Sequence, residues 1–368
     1  SSNFGAKHRS DMGGTASQLR ASAALRRLIS EERKNPELER FFESTFLGPH
    51  KLVASGQLFP ARLRPREKVS YHDRWARPTL YMPFLESAGP IYPTSGAPEP
   101  PSGEEGPEQG APASSGRESA QASSPIAQAA EVLRQNYELI RQDYESLDSW
   151  YRDRNTDTVT TRGAWEKVPV RSYRRWHGEA AWTNTQRILR ELPEGVMACG
   201  LGSTYFSRIE GTTYIKEHFG PTNGRIRLHL GLEVPRQDVH HYKVDDDASS
   251  DGQAAQDIPE DMGPGSAPAL PNLAKSCYLR VADGRYHWEE GQVLAFDDSF
   301  YHSVRLEAPD APGGAPRAPG AGTPPRRGIL LCDVYHPGLT GAEKRFLEKM
   351  EDIKTQCFPQ LQDWRRVH

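Results

Sequence analysis

The residues best suited to chemistry gather in the stretch EHFGPTNGRIRLHLGLEVP, residues 217–235. His218 and His229 stand eleven residues apart there, separated by a Gly-Pro-Thr-Asn turn and by Arg225 and Arg227. Neutral imidazole ligates first-row divalent metals, and a guanidinium fork matches a carboxylate. In RIRLHLGL the alternation is strict: Arg225, Arg227 and His229 share one face of a strand, and Ile226, Leu228 and Leu230 share the other. Alone, such a strand reads as half-buried with its cations in water. Two further segments change that reading. GQVLAFDDSFYHSV runs an apolar strand into a polar turn and then presents His302, 84 residues after His218. RRGILLCDVYHP is another apolar strand, opened by Arg326 and Arg327. Two histidines on different strands, with arginines on neighbouring strands, suit a small β-barrel holding a divalent metal and a dicarboxylate beside it.

The elements that must position these groups are short and β-rich. TTYIKEH, GRIRLHLGLEVP, KSCYLRVADGRYHW, GQVLAFDDSFYHSVRLE and RRGILLCDVYHPG are bounded by turn residues, and so many strands of one kind predict an antiparallel sandwich or barrel. Helices are expected upstream. Residues 17–47 read as helix broken at Pro36, with Leu19, Leu25, Leu28, Ile29, Leu38 and Phe41 as an apolar stripe. Ser124-Pro125 reads as an N-cap and N1 proline ahead of one helix whose apolar positions run from Ile126 to Tyr151. AEKRFLEKMEDIKTQCF closes the chain as an amphipathic helix.

Composition bounds the core. Of 368 residues only 36% are hydrophobic, and 30 are proline and 32 glycine, so much of the chain is loop. Insertions rich in Pro, Gly, Ser or acid fall at about 94–124, 243–274 and 308–325. The domain organisation expected is an N-terminal helical, partly disordered region (1–70), a β-rich domain (71–340) and a C-terminal helix (341–368). A formal charge of −3 gives no field that implies nucleic acid as partner. The four cysteines form no C-x-x-C pair, which argues against a disulfide scaffold or zinc knuckle and makes a reducing, cytoplasmic compartment the default. The chain begins Ser-Ser-Asn, so membrane association or an endoplasmic-reticulum location would need an anchor upstream of it.

Three blocks in one order carry a family resemblance: HFGPTNGRIRLHLGL at 218–232, WEEGQVLAFDDSFYH at 288–302 and DVYHP at 333–337. They resemble the signature blocks of the aspartyl/asparaginyl β-hydroxylases, and RPTLYMPFLES at 77–87 resembles the block that opens that domain in relatives. The resemblance covers about residues 75–340. It implies a mainly β fold with flanking helices, a jelly-roll or cupin-like double-stranded β-helix, and an oxygenase that uses Fe(II), 2-oxoglutarate and O2. It implies His218 and His302 as iron ligands and catalytic residues, and Ser207, Arg227, His229, Arg327 and Trp165 as 2-oxoglutarate-binding residues. It also implies a peptide or protein substrate bearing Asp or Asn, with succinate and CO2 released.

Most non-haem iron oxygenases add a carboxylate two residues after the first histidine. That position is Gly220 here, as is usual in the resembled family. Asp297 and Asp298 read as shaping the turn before His302 or orienting a ligand. The competing readings are the same fold acting on a lipid or free amino acid, a halide in the vacant carboxylate position, a non-catalytic ligand-binding module, and a scaffold working through the N-terminal helices.

Overall fold

The two-residue period of the C-terminal half becomes two antiparallel sheets. The structure is a computed structural model and describes residues 20, 23–44, 46–47, 80–82, 84–85, 89–94, 124–152, 159–172, 175–177, 183–192, 196–197, 202–237, 273–309 and 324–357. The insertions at 95–123, 238–272 and 310–323, Leu19 and residues 48–79 lie outside the described residues.

A helical stretch at 23–32 is followed by a 3-10 turn (Pro36–Leu38) and helix α1 (Glu39–Ser44). Strands β1 (Phe46–Leu47), β2 (Leu80–Tyr81) and β3 (Ile91–Tyr92) lead to α2 (Pro125–Gln135) and α3 (Tyr137–Glu145). β4 (Tyr151–Arg152), β5 (Thr160–Arg162), β6 (Trp165–Ser172) and β7 (Arg175–Trp176) precede α4 (Thr183–Arg190). Then come β8 (Thr204–Glu210), β9 (Thr213–His218), β10 (Arg225–Glu233), β11 (Arg236–Gln237) and β12 (Leu273–Ala274). β13 (Ser276–Val281), β14 (Gly284–Tyr286), β15 (Val293–Phe296), β16 (His302–Glu307), β17 (Arg326–Tyr335) and α5 (Gly341–Cys357) complete the chain.

The major sheet has the order β3-β15-β10-β17-β8-β6-β4, with β7 beside β6, and the minor sheet the order β14-β13-β16-β9-β5. Their inner faces share one apolar core, with Tyr205, Ile209, Phe296, Ile329 and Leu331 from the major sheet and Ile215, Leu279, Val281, Val304 and Leu306 from the minor. The outer face of the major sheet packs Phe206, Ile226, Leu228, Leu230, Leu330 and Val334 against Ile126, Leu133, Ile140 and Ile188 of the helices. This is the antiparallel two-sheet architecture that the strand pattern predicts, and the mainly β double-stranded β-helix that the family resemblance implies.

The central strands β10 and β17 are buried on both faces, so the reading of this strand taken alone, with its cations in water, does not hold. Arg225, Arg227 and His229 are all buried between the sheets. Alternation separates two faces but does not say which of them meets water.

The single helix expected over 124–151 is two. Ser124 caps α2 through Ala127 N as predicted, but Asn136 interrupts the run by donating its Nδ2 to Val132 O at 2.9 Å, and helix ends at Glu145. A side-chain amide that competes for a backbone carbonyl in this way weakens the helical ladder. Tyr151 lies in β4 instead.

The N-terminal helices are built onto the C-terminal end. The break at Pro36 is capped by Asn35, and Leu38, Phe41, Met82 and Leu85 pack with Tyr335, Leu339, Phe346 and Leu347 in one cluster. Arg40 forms two 2.6 Å bonds to Glu343, which also closes a capping box with Thr340 at the start of α5. Met82 and Asn223 exchange two hydrogen bonds (2.9 and 2.8 Å), so this cluster braces the turn that follows His218.

Candidate active site

His218 ends β9 and His302 opens β16, and their backbones are register partners across the minor sheet. The rings face each other with centroids 4.1 Å apart. Nδ1 of His218 meets the Lys216 carbonyl at 2.9 Å, and Nδ1 of His302 meets the Phe300 carbonyl at 2.8 Å. A carbonyl only accepts, so Nδ1 carries the proton in both rings and each Nε2 carries the lone pair. Burial lowers both basicities. His218 falls well below the usual histidine range, helped by His302, and His302 falls to about 4 despite the nearby Asp298 carboxylate. Two neutral imidazoles with paired Nε2 lone pairs are suited to a divalent cation. Among the described residues no group of three or more His, Cys, Asp or Glu side chains could hold a metal.

The carboxylate position is filled from another strand. A Cβ built on Gly220 would collide with all three atoms of the Asp298 carboxylate. Asp298 is fully buried, bound by Arg225 Nη2 at 2.6 Å and by Arg227 Nη1 at 3.0 Å. Burial opposes its ionisation, but the two guanidiniums prevail and hold its carboxyl well below the usual range. Asp333 completes a quartet: Arg225 Nη1 lies 3.0 Å from it and Arg227 Nε 2.9 Å, and Ser203 N donates to its Oδ2. Asp297 shapes the turn before His302 by accepting from Ser299 N.

Arg327, His229, Ser207 and Trp165 line one wall on the inner face of the major sheet. Arg327 on β17 is 2% exposed, and its Nε and Nη1 have no hydrogen-bond partner among the described residues. Burial draws its pKa down to about 10, which still leaves it charged at neutral pH. His229 on β10 accepts from Trp288 Nε1 at 3.2 Å through Nδ1, so its proton sits on Nε2, which also has no partner. Burial, followed by the charges of Arg327 and Arg227, keeps this ring neutral. Ser207 on β8 accepts from Trp165 Nε1 at 2.9 Å, which leaves its own hydroxyl proton to donate. Trp165 also lies 6.5 Å from the His218 ring. The wall thus offers donors from Arg327, His229 and Ser207.

Arg227 is placed apart from that wall, among the carboxylates of the quartet. Two contributors were missed from sequence. Trp288 holds His229 by its N–H and lies 4.7 Å under the Arg327 guanidinium, although it stands inside the WEEG block. Asp333 is the first residue of DVYHP, and its strand period alone puts it on the inner face with Arg327.

The fold and this site define a double-stranded β-helix protein with a two-histidine centre beside a buried cationic wall. The family model for aspartyl/asparaginyl beta-hydroxylase matches residues 134–254 and 267–337, more than half of the chain. The chain belongs to that family. It is 29% identical over 163 residues to the human aspartyl/asparaginyl beta-hydroxylase, covering 44% of this chain and 14% of that protein. It is 28% identical over 166 residues to aspartate beta-hydroxylase domain-containing protein 2 of Xenopus tropicalis (45% and 31%), and 27% identical over 162 residues to the human domain-containing protein 1 (44% and 28%). The chain thus spans under a third to a seventh of the length of these relatives. A prolyl-4-hydroxylase crystal structure from Pseudomonas putida overlays with a TM-score of 0.26 at 12% identity, covering 56% of this chain and 86% of that one. No described helix is long and apolar enough to cross a membrane.

Proposed function

We propose that the chain is an Fe(II)- and 2-oxoglutarate-dependent dioxygenase that hydroxylates an aspartyl or asparaginyl side chain of a peptide. His218 and His302 would hold the iron. Arg327, His229 and Ser207 would take the distal carboxylate of 2-oxoglutarate, with Trp165 fixing Ser207 and Arg227 closing the site from β10. Bound there, iron would supply the activation of O2 that hydroxylation of an unactivated carbon requires.

The observation that carries this reading is the set of orphaned donors on the wall. A buried donor without a partner costs about 1–3 kcal/mol, and three such N–H groups on two residues are balanced only by a ligand rich in acceptors. A carboxylate suits the Arg327 fork, and the neutral His229 adds a donor without a second charge. The chain's other groups prepare the site. The Lys216 and Phe300 carbonyls hold both Nδ1 protons, which leaves Nε2 as the lone-pair nitrogen of each ring, and the buried quartet of Arg225, Arg227, Asp298 and Asp333 cancels its own charge. Asp298 fills the space beside Gly220 with a carboxylate, which favours hydroxylation over delivery of a halide to that position.

The domain limits belong to the same proposal: a catalytic unit over 71–340, with residues 1–70 and 341–368 as its helical flanks. The test is anaerobic addition of Fe(II) and 2-oxoglutarate to the purified chain. A weak visible charge-transfer band should appear and be lost in His302→Ala and in Arg327→Ala. No band in a folded wild-type protein would sink the iron assignment.

A further inference from the structure

The helices cover the outer face of the major sheet, while the outer face of the minor sheet carries charge. Arg285 lies 5.0 Å over the ring of Tyr278, and Tyr278 is the register partner of Arg305. Arg305 lies 5.0 Å over Tyr214, its partner on β9, and Arg162, paired with Tyr214 from β5, lies 5.8 Å from the same ring. One row thus crosses all five strands in the order Arg285, Tyr278, Arg305, Tyr214, Arg162. At about 4.8 Å per strand it spans roughly 19 Å, the length of about six extended residues.

The same face carries Lys216 and Arg280, outward by alternation with the buried Ile215 and Leu279. Among the described residues, Glu307 is the carboxylate that alternates outward with them, and it pairs with Arg305 at 2.9 Å. Glu217 near the end of β9 and Asp283 in the β13–β14 turn stand at the margin. Five cations against Glu307 on the face and Glu217 and Asp283 at its margin leave this face net positive in a chain whose net charge is −3.

We propose that the outer face of the minor sheet is a docking surface for an acidic peptide segment of a protein partner. Three features select carboxylates. The length of the row matches a short extended segment. Each guanidinium is laid over a ring, which limits its freedom and leaves N–H edges for bidentate pairing. Each tyrosine ring already carries at least one guanidinium over its face, and a nucleic-acid strand needs such faces open for base stacking. The surface lies on the strands that bear His218 and His302 but on the opposite face, so occupancy there leaves the active site open.

The proposal is independent of the iron reading and is tested without turnover. A fluorescein-labelled deca-glutamate peptide is titrated with the full chain by fluorescence anisotropy, beside a Gly-Ser decapeptide and a ten-nucleotide oligouridylate. The acidic peptide should bind with an affinity that falls as salt rises, and Arg162→Glu with Arg285→Glu should weaken it by about tenfold or more. The neutralising pair Arg162→Gln with Arg285→Gln should have a smaller effect. Both side chains are exposed, so melting temperatures should not change. Absent binding of the acidic peptide, binding undiminished in the reversal variant, or tighter binding of the oligouridylate overturns the proposal.

Discussion

Asp298 occupies the space that a side chain at position 220 would need. Gly220 N also donates to the Asp298 carbonyl at 2.6 Å, so the two backbones are in contact as well. The missing carboxylate of the histidine motif is therefore a steric consequence: a second acid cannot stand two residues after His218 while Asp298 is held by Arg225 and Arg227.

Gly220→Ala should destabilise the fold by about 1–3 kcal/mol, the usual cost of overpacking a full core. Gly220→Asp should cost more, since it adds like-charge repulsion to the clash, and should not tighten iron binding. Urea denaturation at constant m-value measures the first and metal titration the second. Wild-type stability in Gly220→Ala would contradict the packing argument.

Trp288 joins two wall donors, so its removal should act on cosubstrate binding. Trp288→Phe keeps a ring beneath Arg327 but loses the bond to His229 Nδ1, freeing the ring to protonate the wrong nitrogen. At about 1 kcal/mol for a neutral hydrogen bond, the KM for 2-oxoglutarate should rise about fivefold with kcat nearly unchanged. Trp288→Ala should raise it further. Steady-state kinetics in varied 2-oxoglutarate separates this from a fall in kcat, which would point to general structural damage.

The metal-free protein should lose stability in acid before its carboxylates titrate. His302 is neutral when folded, with a pKa near 4, and takes a proton near 6.5 when unfolded. Between those values the unfolded chain binds more protons, so the contribution of His302 to stability falls as pH drops from about 6.5 to about 4 and is constant above and below that window. His218, lowered in the same direction, adds to the slope. The combined loss should be on the order of a few kcal/mol. Chemical denaturation from pH 4 to pH 8 checks it, and His302→Gln should flatten the curve.

Arg40 joins the N-terminal helices to a glutamate that is fully buried at the head of α5. Arg40→Ala should cost about 1.5–3 kcal/mol, the range for hydrogen bonds to a charged group, and should loosen residues 23–44. Limited proteolysis should then cut that stretch faster, and the Met82–Asn223 brace predicts a parallel loss of Fe(II) affinity. Unchanged proteolysis would show that the ion pair does not anchor these helices.

Several features were legible in the chain because they depend on local periods. The strands at 225–233 and 326–335, the cap at Ser124, the break at Pro36 and the shared face of Arg225, Arg227 and His229 follow from dihedral preferences and alternation. The family resemblance, not any local strand signal, brought Trp165 and Ser207 into view. Tertiary structure decided what no period encodes. It buried the cationic face between two sheets, set Asp298 against Gly220 from 78 residues away, and let Trp288 reach His229 across 59. It also brought Arg40 to Glu343 across 303. A one-dimensional pattern assigns each side chain a face, but register and sheet stacking determine which faces meet, and those follow from burying the apolar surface of the whole domain at once.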